Sequence, residues 1–327
     1  MQRPDPGTEQ LIAMTREFSS TDTTGTAALE HYSRAASRSA RVVLDEYSTS
    51  FSLACRLLDA SSAGHIANIY ALVRLADEIV DGVAFQAGLD DPAIGACLDE
   101  LEAETLRAMD RGYSTNMVVH AFAITARATG IKAELTTPFF ASMRADLSTG
   151  EHDARSLQEY IYGSAEVIGL MCLQVFAAMP GAPQLNRAEE QRTKLAARSL
   201  GAAFQKVNFL RDLAQDSQEL GRTYFPGMDP EGFDEQGKAL LVAQINQDLA
   251  AARAGLPYLA PQAARAVRLA HDLFQELNVQ LEKVPAAALL RTRISVSAPR
   301  KAMIALRVLL GAGTPSHHKL RMEVSSR

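Results

Sequence analysis

From Ala28 onward the apolar residues of this chain recur at three- and four-residue spacing in a background of Ala, Leu, Glu, Gln, Arg and Met, and alternating Val/Ile/Thr runs are almost absent. That period lays apolar side chains along one stripe of a helix, whereas a half-buried strand needs period two. An all-α protein follows. Punctuation marks the helices, with breaks at 59–64, 82–92, 112–115, 150–156, 180–183 and 221–232 and at Pro257, Pro261, Pro285 and Pro299. No gap resembles an interdomain linker and no repeat is visible. Residues 28–312 therefore read as one helical domain, with 1–27 as a flexible leader and 313–327 as a polar tail.

With 327 residues, 47% of them hydrophobic, the chain is able to fill a large core. A formal charge of −5 and scattered Lys and Arg provide no field for a polyanion, which argues against nucleic acid as a partner. Cys55, Cys97 and Cys172 are odd in number and lie in apolar contexts, as expected of free thiols in a reducing compartment. The start "MQRPDPGTEQ" has no apolar signal region, so the expected address is the cytoplasm. The apolar run "VIGLMCLQVFAAM" from Val167 stops at Pro180, too short to span a bilayer, and reads as a core helix.

Against this apolar background "YALVRLADEIVDG", from Tyr70, sets Asp77 and Asp81 one turn apart on one helical face, with Glu78 about 100° round. Taken alone, the pair reads first as a solvated face with Arg74 as a salt-bridge partner. A second patch, "FQKVNFLRDLAQDSQELGRTYFPG", places Asn208, Asp212 and Asp216 at four-residue intervals with Gln205 a turn earlier. Oxygen donors without His or Cys suit a hard cation, above all Mg²⁺, which shares its coordination with phosphate oxygens. Arg74 accompanies the first patch, and Arg211 and Arg222 the second. Carboxylates, magnesium and arginines together make a clamp for a diphosphate, here at the end of an apolar bundle.

These residues resemble the phytoene and squalene synthase family, the head-to-head branch of the trans-isoprenyl diphosphate synthases. "YSTSFSLACRLL" from Tyr47 resembles its early Ser-x-Ser-Phe segment, and "YALVRLADEIVD" its first aspartate-rich motif. "YIYGSAEVIG" is similar to its central tyrosine-bearing helix, and "NFLRDLAQD" with "GRTYFP" to its second aspartate-rich motif. "RTRISVSAPRKAMIALR" resembles the basic segment before its last helix. The resemblance covers roughly residues 30 to 310 and implies an isoprenoid synthase fold, with the acidic motifs facing each other across the mouth of a central cavity.

The resemblance also implies roles. Asp77, Asp81, Asp212 and Asp216, with Asn208, would hold Mg²⁺, for which Mn²⁺ would substitute; Arg74, Arg211 and Arg222 would contact phosphates. Ser48, Ser50 and Phe51 would line the substrate end, and Gln205 would lie near the rearranging carbons. Tyr70, Tyr162 and Tyr224 would stabilise carbocations or accept protons, although each reads equally as a core tyrosine with a satisfied hydroxyl. The implied activity is 1-1′ condensation of two prenyl diphosphates through a cyclopropylcarbinyl diphosphate. Wording closest to bacterial enzymes favours phytoene from geranylgeranyl diphosphate; the alternative is squalene or dehydrosqualene from farnesyl diphosphate, NADPH being needed only for squalene. Glu78 stands where many relatives have Asp, and the interval from Asp216 to Arg222 is one residue longer than usual.

Other readings remain open at this level. A terpene cyclase would carry Ser or Thr and then Glu at 212 and 216, a chain-elongating synthase would want D-D-x-x-D where this chain has "DEIVD", and a silent helical lipid-binding protein would show eroded ligands. The seven histidines fall in no ligand spacing, and Gly163 and Gly169 form no phosphate loop. The segment from Arg300 through "KAMIALRVLLGAG" is amphipathic with a basic edge, which suggests peripheral membrane contact.

Overall fold

The computed structural model describes residues 25–148, 153–219 and 233–311, with side chains in the helix before residue 220 described through Leu213. Among the described residues every regular element is helical: α1 (Gly25–Tyr47), α2 (Thr49–Cys55), α3 (Ala60–Val80), α4 (Val83–Gln86), α5 (Asp91–Arg111), α6 (Met117–Thr129), α7 (Ala133–Ser148), α8 (Ala154–Ile161), a π-turn (Tyr162–Glu166), α9 (Val167–Ala177), α10 (Arg187–Glu219), α11 (Glu235–Arg253), a 3₁₀ turn (Leu256–Tyr258), α12 (Pro261–Lys283), α13 (Ala286–Leu289) and α14 (Ala298–Leu309). Apart from α1's first residues, the expected leader lies outside this set, as does the expected tail.

Side-chain caps start these helices where the sequence supplies them. Asp59 accepts from the Ser62 amide at 3.0 Å, Asp90 from Ala93 at 3.0 Å, and Asp153 and Ser156 form a reciprocal capping box on α8. Because Asp59 caps α3, the break expected at 59–64 ends at Asp59, and Gly64 lies inside the helix. At the other end of α3, Asp81 is the C-cap and Gly82 follows with φ 104°, a left-handed conformation that turns the chain sharply.

The apolar run after Val167 is longer than expected. The π-turn joins α8 to α9, so Ala154–Ala177 is one helical stretch of 24 residues, by length and composition enough to cross a membrane. Its most apolar window is 50% buried inside the protein, however, which is how a core helix behaves. Gly169 and Gly201 set its packing distance: a Cβ on Gly169 would lie 2.4 Å from the Ala197 carbonyl oxygen, and one on Gly201 2.5 Å from that of Ala165. Backbone thus meets backbone between α9 and α10.

Among the described residues two large apolar cores result, with three smaller clusters beside them. One gathers Leu72, Leu98, Phe122, Phe140 and Met171 from α3, α5, α6, α7 and α9. The other gathers Val207, Leu210, Leu241, Ile245 and Leu281 from α10, α11 and α12. The buried surface of each stabilises its helices far beyond their intrinsic propensity. A cavity of about 530 Å³ lies between these cores, lined by residues from Leu44 to Arg293.

Candidate active site

α3 forms one wall of the cavity, contributing Ile66, Ile69, Tyr70, Val73, Arg74, Asp77 and Asp81 at helical spacing. The polar residues occupy its C-terminal half, where the helix dipole already disfavours negative charge. Burial first, and then the neighbouring Asp81 carboxylate, push the Asp77 carboxyl up to about 8 against the pull of Arg74; Asp146 and Glu78 add to the rise. Metal-free, this pair is crowded.

Arg74 pairs with Glu78 at i+4 rather than with Asp77, and its guanidinium lies 4.5 Å from the centre of the Tyr47 ring. Glu78 is therefore no bystander, although it stays off the cavity lining: it orients the arginine that does line it.

α10 forms the facing wall with Gln205, Asn208, Arg211 and Asp212. Arg211 donates two hydrogen bonds to Asp212, at 2.9 and 2.5 Å, and Arg293 donates to the same carboxylate at 2.8 Å. Asp216 lies on the α10 backbone with its side chain outside the described set, and Arg222 and Tyr224 are outside it altogether. Among the described residues no three His, Cys, Asp or Glu side chains converge to hold an ion. The acidic walls stand apart, with arginines neutralising one of them.

Three buried polar atoms without a hydrogen-bond partner belong to lining residues: Nε of Arg74, Oδ1 of Asn208 and Oγ of Ser164. Orphaned groups of this kind cost free energy unless something occupies the space they face. An acceptor oxygen beside carboxylates, and a donor nitrogen opposite, fit a hard cation together with phosphate oxygens. The residues present therefore suit a divalent metal held jointly with a substrate diphosphate.

Sequence reasoning missed part of this end. Asp146, near the end of α7, lines the cavity, and the Tyr160 hydroxyl lies 2.9 Å from both of its carboxylate oxygens. Of the central tyrosines it is Tyr160, not Tyr162, that lines the cavity. Two residues along a helix turn a side chain by roughly 200°, so the two rings face opposite ways. Tyr162 packs against the first apolar core, with the Arg198 guanidinium 5.3 Å from its ring centre.

Ser48, Ser50 and Phe51 line the cavity. Ser48 caps α2 by accepting from the Phe51 amide at 3.2 Å, and its side chain also bonds that of Tyr70, whose phenol burial pushes up to about 12. Below these residues the lining turns aromatic: Phe51 lies 5.7 Å from both Phe204 and Phe274, which stack on each other at 3.8 Å. Ring faces there suit a passing carbocation. Beyond the aromatics the walls are mainly aliphatic, with Phe176 and Thr193 among the lining.

Comparison with known proteins agrees with this geometry. The sequence pattern of the squalene/phytoene synthase family matches residues 44–300. The 15-cis-phytoene synthase of Paracoccus sp. (strain N81106 / MBIC 01143) is 28% identical over 272 residues, 78% of this chain and 84% of that protein. That of Enterobacter agglomerans is 28% identical over 273 residues, 78% of this chain and 88% of the relative. Among solved structures, a ligand-bound dehydrosqualene synthase superimposes with a TM-score of 0.71 at 22% identity, covering 86% of this chain and 98% of the other. A squalene synthase from Alicyclobacillus acidocaldarius gives 0.64 at 21% identity over 77% and 94%. Both share this all-α fold.

Proposed function

The chain belongs to the squalene/phytoene synthase family, a family of prenyltransferases, and on that premise we propose that it joins two geranylgeranyl diphosphates head to head to give 15-cis-phytoene. The observation that carries this reading is the polarity of one cavity: Asp77, Asp81, Arg74, Asn208 and Asp212 at one end, aromatic and aliphatic walls along the rest. A molecule that fits has a diphosphate head and a hydrocarbon tail.

Asp77, Asp81, Asn208, Asp212 and Asp216 would hold Mg²⁺, whose charge, when bound, offsets that of the departing diphosphate. Arg74, Arg211 and Arg293 supply further cationic contacts, as does Arg222 on the sequence resemblance. Breaking the allylic C1–O bond of one substrate releases diphosphate and leaves a cation beside Phe51, Phe204 and Tyr70. The double bond of the second substrate attacks it, and loss of a proton closes the cyclopropane ring. Cleavage of the second C–O bond releases the other diphosphate; rearrangement and loss of another proton complete phytoene. No reductant enters, whereas squalene would require hydride from NADPH. Diphosphate release on mixing protein, Mg²⁺ and geranylgeranyl diphosphate tests the reading, and no release in the presence of folded protein and metal contradicts it.

The lining draws on both halves of the chain, which supports 28–312 as a single domain. A peripheral contact accompanies it: α14 buries Ile304 and Val308 while Leu306, Leu309 and Leu310 stand 56%, 57% and 74% exposed beside Arg307. A leucine face with a basic edge suits an anionic bilayer surface, into which an apolar product would be delivered. Co-sedimentation with anionic liposomes at low salt is the expected result, and its absence overturns the contact.

A further inference from the structure

The tail end of the cavity has a floor, and its side chains are small. Down α10 from Asp212 the lining passes Asn208, Phe204, Leu200 and Ala196 and ends at Thr193. At about 1.5 Å per residue that stripe is roughly 28 Å long. Thr193 and Ala196 are 3% and 6% exposed, and the Thr193 hydroxyl donates to the Glu189 carbonyl at 2.7 Å, which presents its methyl group without a free donor. Across from them Ala252 and Gly255, at the end of α11, complete the closure with Phe176 of α9. A Cβ on Gly255 would lie 2.5 Å from Cβ of Ala196, so the Ala196 methyl group sits against the bare Gly255 backbone.

These dimensions discriminate between prenyl tails. From carbon–carbon bond lengths an extended tail of four isoprene units is roughly 20 Å long and one of three roughly 15 Å. A diphosphate with its metal layer takes up several ångströms at the acidic end, which leaves room for about four units. A three-unit tail anchored at Asp77 and Asp212 would stop short and leave the floor without apolar contacts.

We propose that Ala196, backed by Gly255, sets product length: its methyl group ends the tail channel, and its small size admits the fourth isoprene unit. This rests on the head-to-head reading above. Because both residues line the cavity and the Ala196 methyl group already meets Gly255, a larger side chain at 196 takes space from the channel, where it displaces the end of the longer tail and spares the shorter one.

The test compares full-length wild type, Ala196→Phe and Ala196→Val, each given Mg²⁺ with either geranylgeranyl or farnesyl diphosphate, with C40 and C30 hydrocarbons quantified separately. Wild type favours C40. Ala196→Phe is expected to lower the C40-to-C30 ratio by about 50-fold, and Ala196→Val by about fivefold, the scale on which apolar pockets discriminate methylene groups. An unchanged ratio in the folded variants, or C30 alone from wild type, overturns the proposal. If thermal melting shows that the Phe variant is unfolded, the Val variant decides. Absence of coupled hydrocarbon from wild type with either substrate instead contradicts the condensation reading, a separate outcome.

Discussion

The phenolic oxygen of Tyr160 sits 2.9 Å from each carboxylate oxygen of Asp146, joining the helix before the π-turn to the end of α7 at the acidic end of the cavity. Tyr160 is 5% exposed and its ring lies 6.1 Å from that of Phe209, so its rotamer is held from both sides.

That geometry separates two neighbouring tyrosines. Tyr160→Phe removes a hydrogen bond from the Asp146 carboxylate at the cavity and is expected to lower kcat by about tenfold, whereas Tyr162→Phe stays within about twofold of wild type. Steady-state kinetics on the two variants checks this, with melting curves to show that both fold. Equal losses would mean that cavity lining does not decide the role.

Asp77 links activity, metal and pH. Its carboxyl, pushed up to about 8 by burial and Asp81, binds a proton in the folded chain across a range where the unfolded chain has lost it. The sign follows: stability of the metal-free protein falls as pH rises from about 4 to 8, because the folded state binds more protons there. Melting temperature against pH should show this decline in wild type and a flatter profile in Asp77→Asn. Added Mg²⁺ should stabilise wild type more at pH 8 than at pH 6, since the ligands must be ionised.

Removing a wall should stop turnover without unfolding the bundle. Asp77→Asn and Asp212→Asn are each expected to lower kcat by about a thousandfold, the scale of electrostatic stabilisation at a reacting centre, with cooperative melting retained. Single-turnover diphosphate release measures the first effect and circular dichroism the second. Activity within tenfold of wild type would remove these residues from the clamp.

Arg74 and Glu78 should differ in consequence although they form one ion pair. Arg74→Ala deletes a cavity-lining guanidinium and should reduce kcat/KM by about 100-fold, while Glu78→Gln loosens its orientation and should cost about threefold. Initial rates at low substrate concentration distinguish them, and a larger loss in Glu78→Gln would place Glu78 itself at the substrate.

Local pattern made much of this legible. Helical period and the breaks between runs mark most helix boundaries, and four-residue spacing puts Asp77 with Asp81 and Asn208 with Asp212 on single faces, because those relations lie within one helix. The roles of Asp146, Tyr160 and Arg293 are tertiary: a lone acid near the end of α7 carries no local signal, and the basic segment between α13 and α14 does not by itself show that Arg293 reaches Asp212. For Tyr162 the sequence offers a cavity role and a core role equally, since its motif holds two tyrosines, and its packing against the first core and Arg198 fits the core role. A count that starts at Val167 falls short of the full helical stretch, because a π-turn continues the helix back to Ala154.

The central claim is that this cavity condenses two prenyl diphosphates head to head without reduction. Its most direct test is the hydrocarbon extracted after incubation with Mg²⁺ and geranylgeranyl or farnesyl diphosphate, with and without NADPH, identified by mass and retention time. The account predicts phytoene from geranylgeranyl diphosphate, independent of NADPH and abolished by a chelator; no coupled hydrocarbon from either substrate, with folded protein and metal present, would contradict it.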